Sequence, residues 1–380
     1  MIDLHERFAA VAELRPPDVW EEAQRRAAIQ QRPSPTTERL ATRRGHRLAA
    51  AFVAIAIFAV AAVFAWNVME PVTEMPTGPS PVTTTPVRPL SVTGRLKLPF
   101  GDFGVVADPT SVWVAAYGHV QRIDPASMTV TASIRVQGLD DQDGIAIGRN
   151  VWVTHGSHHQ VVAIDPVTTQ IVRRIRVPYI PVQVVADGQN AWVISATNGP
   201  GRIYGIDGAT GVVTPRGQLA TSPRLPFTAG EGSAWVVQGV GLRRFGSDGS
   251  TSRVDLSGGS VSALTFGDGS VWVLLTDGGI LRIDPSSGHT IASFPSPSGI
   301  GLAEAAGKVW ILTDTGSRSK TVYIPDPRDP SLVVSFDADT GQPVGRAVKV
   351  GFAPAWIAAE GADAWVARYN GARLLRISPA

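Results

Sequence analysis

At seven near-regular intervals in this chain a small residue or Val is followed by Trp and then by Val or Ile. The phrase reads Val112-Trp113-Val114, Val151-Trp152-Val153, Ala191-Trp192-Val193 and Ala234-Trp235-Val236, then Val271-Trp272-Val273, Val309-Trp310-Ile311 and Ala364-Trp365-Val366. Successive Trp residues are 39, 40, 43, 37, 38 and 55 positions apart. A period near 40 with an apolar, aromatic strand signature leaves few architectures other than a propeller or a solenoid. A Trp repeated once per unit between apolar neighbours is suited to fill the wedge between adjacent sheets, so the seven Trp are assigned to the core.

The second unit shows the grammar within each period. A short apolar strand, Gly144 to Ile147, turns at Gly148-Arg-Asn into Val151-Trp-Val-Thr-His. A polar loop leads to Gln160-Val-Val-Ala-Ile, Asp165-Pro turns the chain, and Gln170 to Val177 alternates with period two. Four antiparallel strands in about 40 residues make one propeller blade. The turn after the innermost strand carries Gly or Asn where a tight hairpin needs positive φ. The turn after the third strand carries Asp124, Asp165, Asp207, Asp284 and Asp337. Asp caps such a turn through its side chain, and this recurrence marks these residues as turn formers rather than acids or ligands.

The expected fold is all-β: a seven-bladed β-propeller of four-stranded antiparallel blades over residues 91–380. The chain ends on a third strand, Arg373-Leu-Leu-Arg-Ile. The missing fourth strand has its match at the start of the domain, where Val92-Thr-Gly-Arg-Leu-Lys-Leu resembles Val344-Gly-Arg-Ala-Val-Lys-Val. The N-terminal strand should therefore complete the last blade and remove its open edge.

Three segments precede the propeller. Residues 1–46 read as a cytoplasmic helical tail, with Leu4, Phe8 and Val11 on one helical face and a capping box at Asp18 and Glu21. A cytoplasmic partner is expected for it. Residues 47–67 read as a transmembrane helix, since Leu48 to Trp66 carries no charge, and 19 residues at about 1.5 Å each match the hydrocarbon thickness. Arg43, Arg44 and Arg47 before it, with Glu70 and Glu74 after it, put the N-terminus inside and the propeller outside the cell membrane. Residues 68–90 form a Pro/Thr-rich linker that favours extended structure, reaching about 60 Å at most.

Composition narrows the chemistry. Residues 91–380 hold 24 Lys and Arg against 23 Asp and Glu, so a nucleic-acid partner, which needs a concentrated basic face, is not expected. The absence of Cys excludes disulfides, thiolate metal sites and a Cys nucleophile. No P-loop, dinucleotide fingerprint, nucleophile elbow or zincin motif occurs.

The unit Gly-x-Gly-x-Val-Trp-Val … Arg-Ile-Asp-Pro-x-Thr-Gly, seen well at Val271-Trp-Val with Leu281-Arg-Ile-Asp-Pro-Ser-Ser-Gly, resembles a group of seven-bladed propellers. The group includes virginiamycin B lyase, the YVTN-repeat surface propellers and the propeller subunits of quinoprotein dehydrogenases. The tail and span are similar to actinobacterial membrane proteins related to anti-sigma factors. The resemblance implies the fold and, at the lyase end of the group, a metal-assisted lyase or hydrolase with a His base near the central opening. No histidine here aligns with that motif, and no quinone-stacking motif is present. The functional expectation is a binding, sensing or interaction module in the envelope, holding a protein or small ligand, with no cofactor demanded by the sequence.

Candidate binding residues follow from topology. Loops between strands two and three, and those between blades, share one face around the axis. On it fall Tyr117, His119, Asp143, His155, His158, His159, Tyr179, Asn198, Arg368 and Tyr369. His155, His158 and His159 near Asp140, Asp141 and Asp143 are candidate ligands for a divalent metal such as Zn²⁺, with a solvated polar loop as the plainer reading. The 55-residue interval adds about 15 residues between Asp314 and Val333, an insertion carrying Arg318, Lys320, Tyr323 and Arg328. Insertions on a rigid scaffold often carry specificity.

Overall fold

The computed structural model describes residues 89–379, apart from 142, 198, 221–223, 257–258, 314–316, 319–322, 325–330, 352–353 and 369–371, with backbone alone at 102–103, 317–318 and 323–324. The helical tail, the membrane span and nearly all of the linker lie outside the described residues, as do Asn198, Lys320, Arg328 and Tyr369. Among the described residues no helix is long and apolar enough to cross a membrane.

The described residues form seven four-stranded antiparallel sheets and one two-stranded hairpin; the first five sheets use strands consecutive in the chain, the sixth is interrupted by the hairpin, and the seventh takes the N-terminal strand. Blade 1 comprises Asp102–Asp108, Ser111–Ala116, His119–Asp124 and Thr129–Arg135. Blade 7 comprises Pro354–Glu360, Asp363–Arg368, Arg373–Pro379 and, as its outermost strand, Leu90–Lys97. That N-terminal strand runs antiparallel to the C-terminal one from Leu90 opposite Pro379 to Lys97 opposite Arg373. The innermost strands touch in succession around the axis, and Pro354–Glu360 meets Asp102–Asp108 to close the circle. The chain is a seven-bladed propeller, closed as the repeat pattern implies.

The Trp phrase explains how neighbouring blades cohere. It lies on the second strand of each blade, which is buried on both faces, so both sets of alternating side chains must be apolar. Trp113 packs against Val151, Val153 and Ile164 of blade 2. From the other face of the same strand, Val112 and Val114 pack against Trp365 of blade 7. The contact recurs around the ring, with Trp235 against Val271 and Val273, and Trp310 against Ala364 and Val366. All seven Trp are at most 2% exposed. Each buries about 200 Å², worth up to roughly 5 kcal/mol of transfer free energy.

An arginine completes several wedges. Trp235, Trp272 and Trp365 lie opposite Arg244, Arg282 and Arg376 of the third strand, whose guanidinium carbons sit 5.8, 5.1 and 5.6 Å from the ring centres. In blade 3 the residue opposite Trp192 is Gly205, and Arg216 reaches over from the fourth strand instead, 5.9 Å from the ring. A Cβ on Gly205 would stand 3.1 Å from Arg216 Nε, so the glycine makes room for the cation. Arg376 also pairs with Asp363 at 2.6 Å and donates to the Pro125 carbonyl of blade 1 at 3.0 Å.

The turns follow the sequence reading with one difference. Asp268-Gly269 has φ of 45° and 61°, the mirror-image hairpin expected after an innermost strand. Gly148 is not among the positive-φ glycines. It is small because the next blade approaches: a Cβ there would fall 2.3 Å from the Gly188 carbonyl oxygen, which accepts from the Arg149 amide at 2.8 Å. The insertion joins the second and third strands of blade 6, Lys308–Leu312 and Ser331–Asp337, and carries a short hairpin of Ser317–Arg318 and Tyr323–Ile324.

Two outcomes are expected in thermal and urea unfolding of the full-length chain. Removing residues 90–97 lowers the melting temperature by roughly 10 °C or more, because it reopens the ring. Trp272→Ala costs about 4 kcal/mol. A melting temperature unchanged by the deletion would contradict the closure.

Candidate functional site

The loop face is built as a continuous belt over blades 7, 1, 2 and 3. Tyr117 N–H donates to the Gly101 carbonyl at 3.1 Å, and the His119 ring stacks on Phe100 with centroids 4.0 Å apart. Gly118 N–H then reaches the Leu139 carbonyl at 2.9 Å, tying the blade 1 loop to the connection into blade 2. Asp143, in that connection, accepts from the Gly156 amide at 2.7 Å and the Asp140 amide at 3.1 Å. Val177 N–H donates to the His159 carbonyl at 2.9 Å, which ties the blade 2 loop to the connection into blade 3. The His159 ring Nδ1 lies 2.7 Å from the Tyr179 carbonyl oxygen.

This belt sorts the candidate residues. Tyr117 and Tyr179 are exposed, at 41% and 46%, beside exposed Ile180. Tyr179 is held at φ 64°, a region costly for a non-glycine residue. Arg202 of blade 3 lies 5.8 Å from its ring centre. His158 and His159 are exposed and His119 is half-buried. His155 ends the strand Val151–His155 only 2% exposed, stacked on His158 at 4.1 Å, and among the described residues neither ring nitrogen makes a well-formed hydrogen bond, although the Gln137 backbone lies near. Burial pushes its pKa down, reinforced by the nearby His158.

The three histidines therefore do not converge on one point. Two rings stack face to face while the third turns to the Tyr179 carbonyl, and among the described residues no group of three His, Asp or Glu is arranged to hold a metal ion. Asp143 is 7% exposed and uses its oxygens to staple two loops together. Arg368 is half-buried at the end of the blade 7 strand Asp363–Arg368.

Asp143 joins the belt to the mouth of the axial channel. A cavity of about 320 Å³ opens there, lined by Asp141, Asp143, Gln183, Arg224, Phe227 and Trp356. It continues into a space of about 380 Å³ between the innermost strands of all seven blades. One ring of positions decides why the mouth is open. The innermost-strand residue lying two steps from the wedge Trp is Gly104, Gly144, Gln183, Pro226, Ala263, Gly301 or Trp356. Five are small or Pro. Gln183 and Trp356 are the two large side chains, and both line the mouth; the Gln183 side-chain oxygen is buried and has no hydrogen-bond partner among the described residues.

The sequence reading missed Gln183, Arg224 and Trp356. A signal existed for one of them: Ala355-Trp356-Ile357 repeats the phrase only nine positions before Trp365, outside the period of about 40.

The turn aspartates lie on the opposite face and behave as turn residues. Asp124, Asp165 and Asp207 accept from backbone amides two or three positions on, which holds their pKa values low. The Ser286 hydroxyl, with further donors from Ser287, lowers Asp284 to about 2.

No family model and no curated relative matches the sequence. Among solved structures the chain is similar to the β-propeller domain of Cps50 (Swd1) from Myceliophteria thermophila. The match is 11% identical, covers 77% of this chain and all of that one, and has a TM-score of 0.58. At that identity the similarity shows the fold alone.

Asp143 gives a pH signature. Burial pushes its carboxyl up to about 6, against the lowering pull of the Gly156 and Asp140 amides. The folded chain thus holds this proton more tightly than the unfolded chain, whose carboxyl titrates near 3.8. The resulting stabilisation is full below the unfolded value and lost as pH rises through about 6. Asp143→Asn cannot titrate, so wild type should lose on the order of 2 kcal/mol relative to the variant between pH 4 and pH 7 in urea unfolding. A difference independent of pH would contradict the assignment.

Proposed function

We propose that this chain is a membrane-anchored recognition module whose propeller binds an envelope protein through the loop face of blades 7, 1, 2 and 3. The observation that carries this reading is the belt itself. It presents Tyr117, Tyr179, Ile180 and Arg202 on the loop face, whose loops are joined to one another by backbone hydrogen bonds. Tyr and Arg are the residue types that dominate interface hot spots. A surface already fixed before binding loses little conformational entropy on association. A small side chain or ligand fits the mouth of about 320 Å³, where Trp356 offers an aromatic wall and Gln183 an acceptor with no partner among the described residues.

The uncharged stretch Leu48 to Trp66 and its flanking charges support a single span with the N-terminus inside and the propeller outside the cell membrane. Residues 1–46 then face a cytoplasmic partner, and the linker holds the propeller away from the bilayer. The alternative of a metal-assisted lyase gains no support from the histidine geometry.

Photo-crosslinking in membranes of the native host tests this reading. A photoreactive residue replacing Tyr117 or Tyr179 should yield one discrete protein adduct. The same residue at Val167, 87% exposed on the opposite face, should yield none. Adducts independent of position, or none at the two tyrosines, would overturn it. The same membranes washed at alkaline pH should retain the full-length chain in the pellet.

A further inference from the structure

We propose that the cleft between blades 6 and 7 is an anion site that takes a phosphoryl dianion, either free phosphate or a phosphate ester on a larger molecule. This site is separate from the axial mouth and goes beyond the reading above. A cavity of about 260 Å³ is lined there by Arg95, Lys97, Arg368 and Arg373 over an apolar floor of Val350 and Leu375. Lys97 lies directly opposite Arg373 on adjacent strands. Ala367 lies opposite Leu374, so Arg368 follows as the neighbour of Arg373 on the next strand inward. Arg95 is two residues before Lys97 and so shares its face. Three adjacent strands thus send a row of positive charge to one level of one cleft.

Like charges directly opposite across a sheet destabilise it. Three other arginines of this domain have carboxylate partners. Arg376 has Asp363 at 2.6 Å, Arg282 has Asp339 at 3.1 Å, and Arg253 has Asp255 at 2.6 Å. Among the described residues no carboxylate pairs with Arg95, Lys97 or Arg373. Charged residues on an outermost strand also guard against edge pairing, which accounts for Arg95 and Lys97. It does not account for Arg373, which sits on an inner strand and reaches the same cleft as Arg368. The Arg368 guanidinium lies against blade 6, where a Cβ on Gly351 would stand 3.8 Å from its Cζ.

The ligand class follows from donor chemistry. Guanidinium groups offer paired N–H donors that match the oxygens of a phosphate, and Lys adds a compact point charge. A bound dianion would relieve the repulsion between Lys97 and Arg373, which lie directly opposite each other. Two of the four cations come from the N-terminal strand and two from the C-terminal part of the chain, so the site exists only in the closed ring.

Isothermal titration of the full-length chain with inorganic phosphate, and separately with glycerol 3-phosphate, tests the proposal. Saturable one-to-one binding is expected, and it should weaken as salt rises. The Lys97→Gln/Arg373→Gln variant should bind at least about tenfold more weakly. Arg253→Gln, at an exposed ion pair of blade 4, should bind as wild type. Tighter binding of the ester would identify a carried phosphate, and equal binding a free one. Without ligand the double variant should melt at or above the wild-type temperature, and phosphate should raise the melting temperature of wild type alone. Should the double variant fail to fold, Lys97→Gln on the exposed edge strand replaces it, with several-fold weaker binding expected. No saturable heat with either probe, or undiminished binding by the variant, would overturn the proposal.

Discussion

The wedge between neighbouring blades is the interaction on which this structure depends. Each second strand is buried on both faces, one face giving a Trp to the next blade and the other giving two aliphatic side chains to the Trp of the blade before. A single blade could not bury either face. The contact therefore becomes stable only when it is passed around the circle, and the circle needs the strand Leu90–Lys97 to complete its last member. The arginines opposite several Trp extend the same logic, since Arg376 binds its own Trp, its own Asp363 and a carbonyl of the adjacent blade.

Both candidate sites inherit their geometry from that closure. The axial mouth sets Trp356 of the last blade beside Gly104 of the first. The cationic cleft joins Arg95 and Lys97 from the start of the propeller to Arg368 and Arg373 from its end. A chain that folded the same blades without closing them would present neither. Function and the seam of the ring are thus linked by topology.

Much of the fold was legible because it is repeated. Seven near-regular copies of the Trp phrase, recurring Asp turns and a missing fourth strand leave little freedom, and the structure follows them. The sites were less legible because they are made where repeats differ. Gln183 and Trp356 stand out only once the blades are superposed on one register, which sequence spacing alone blurs through strand bulges such as that between Pro354 and Trp356. The three histidines looked like a metal set because they are close in sequence. A strand end buries His155 while a left-handed residue, His159 at φ 55°, turns the third ring toward Tyr179. The pairing of Lys97 with Arg373 is a contact between sequence ends that no local pattern announces.

The central claim is that closure makes the propeller one cooperative unit and so fixes both sites. Native-state hydrogen exchange of the full-length chain, followed amide by amide across the seven second strands, addresses it directly. In mild denaturant the strands holding Trp113 through Trp365 should exchange with one common free energy, that of global unfolding. Earlier exchange of Asp363–Arg368, Arg373–Pro379 and Leu90–Lys97 as a separate group would show that the seam opens by itself, and would contradict the account.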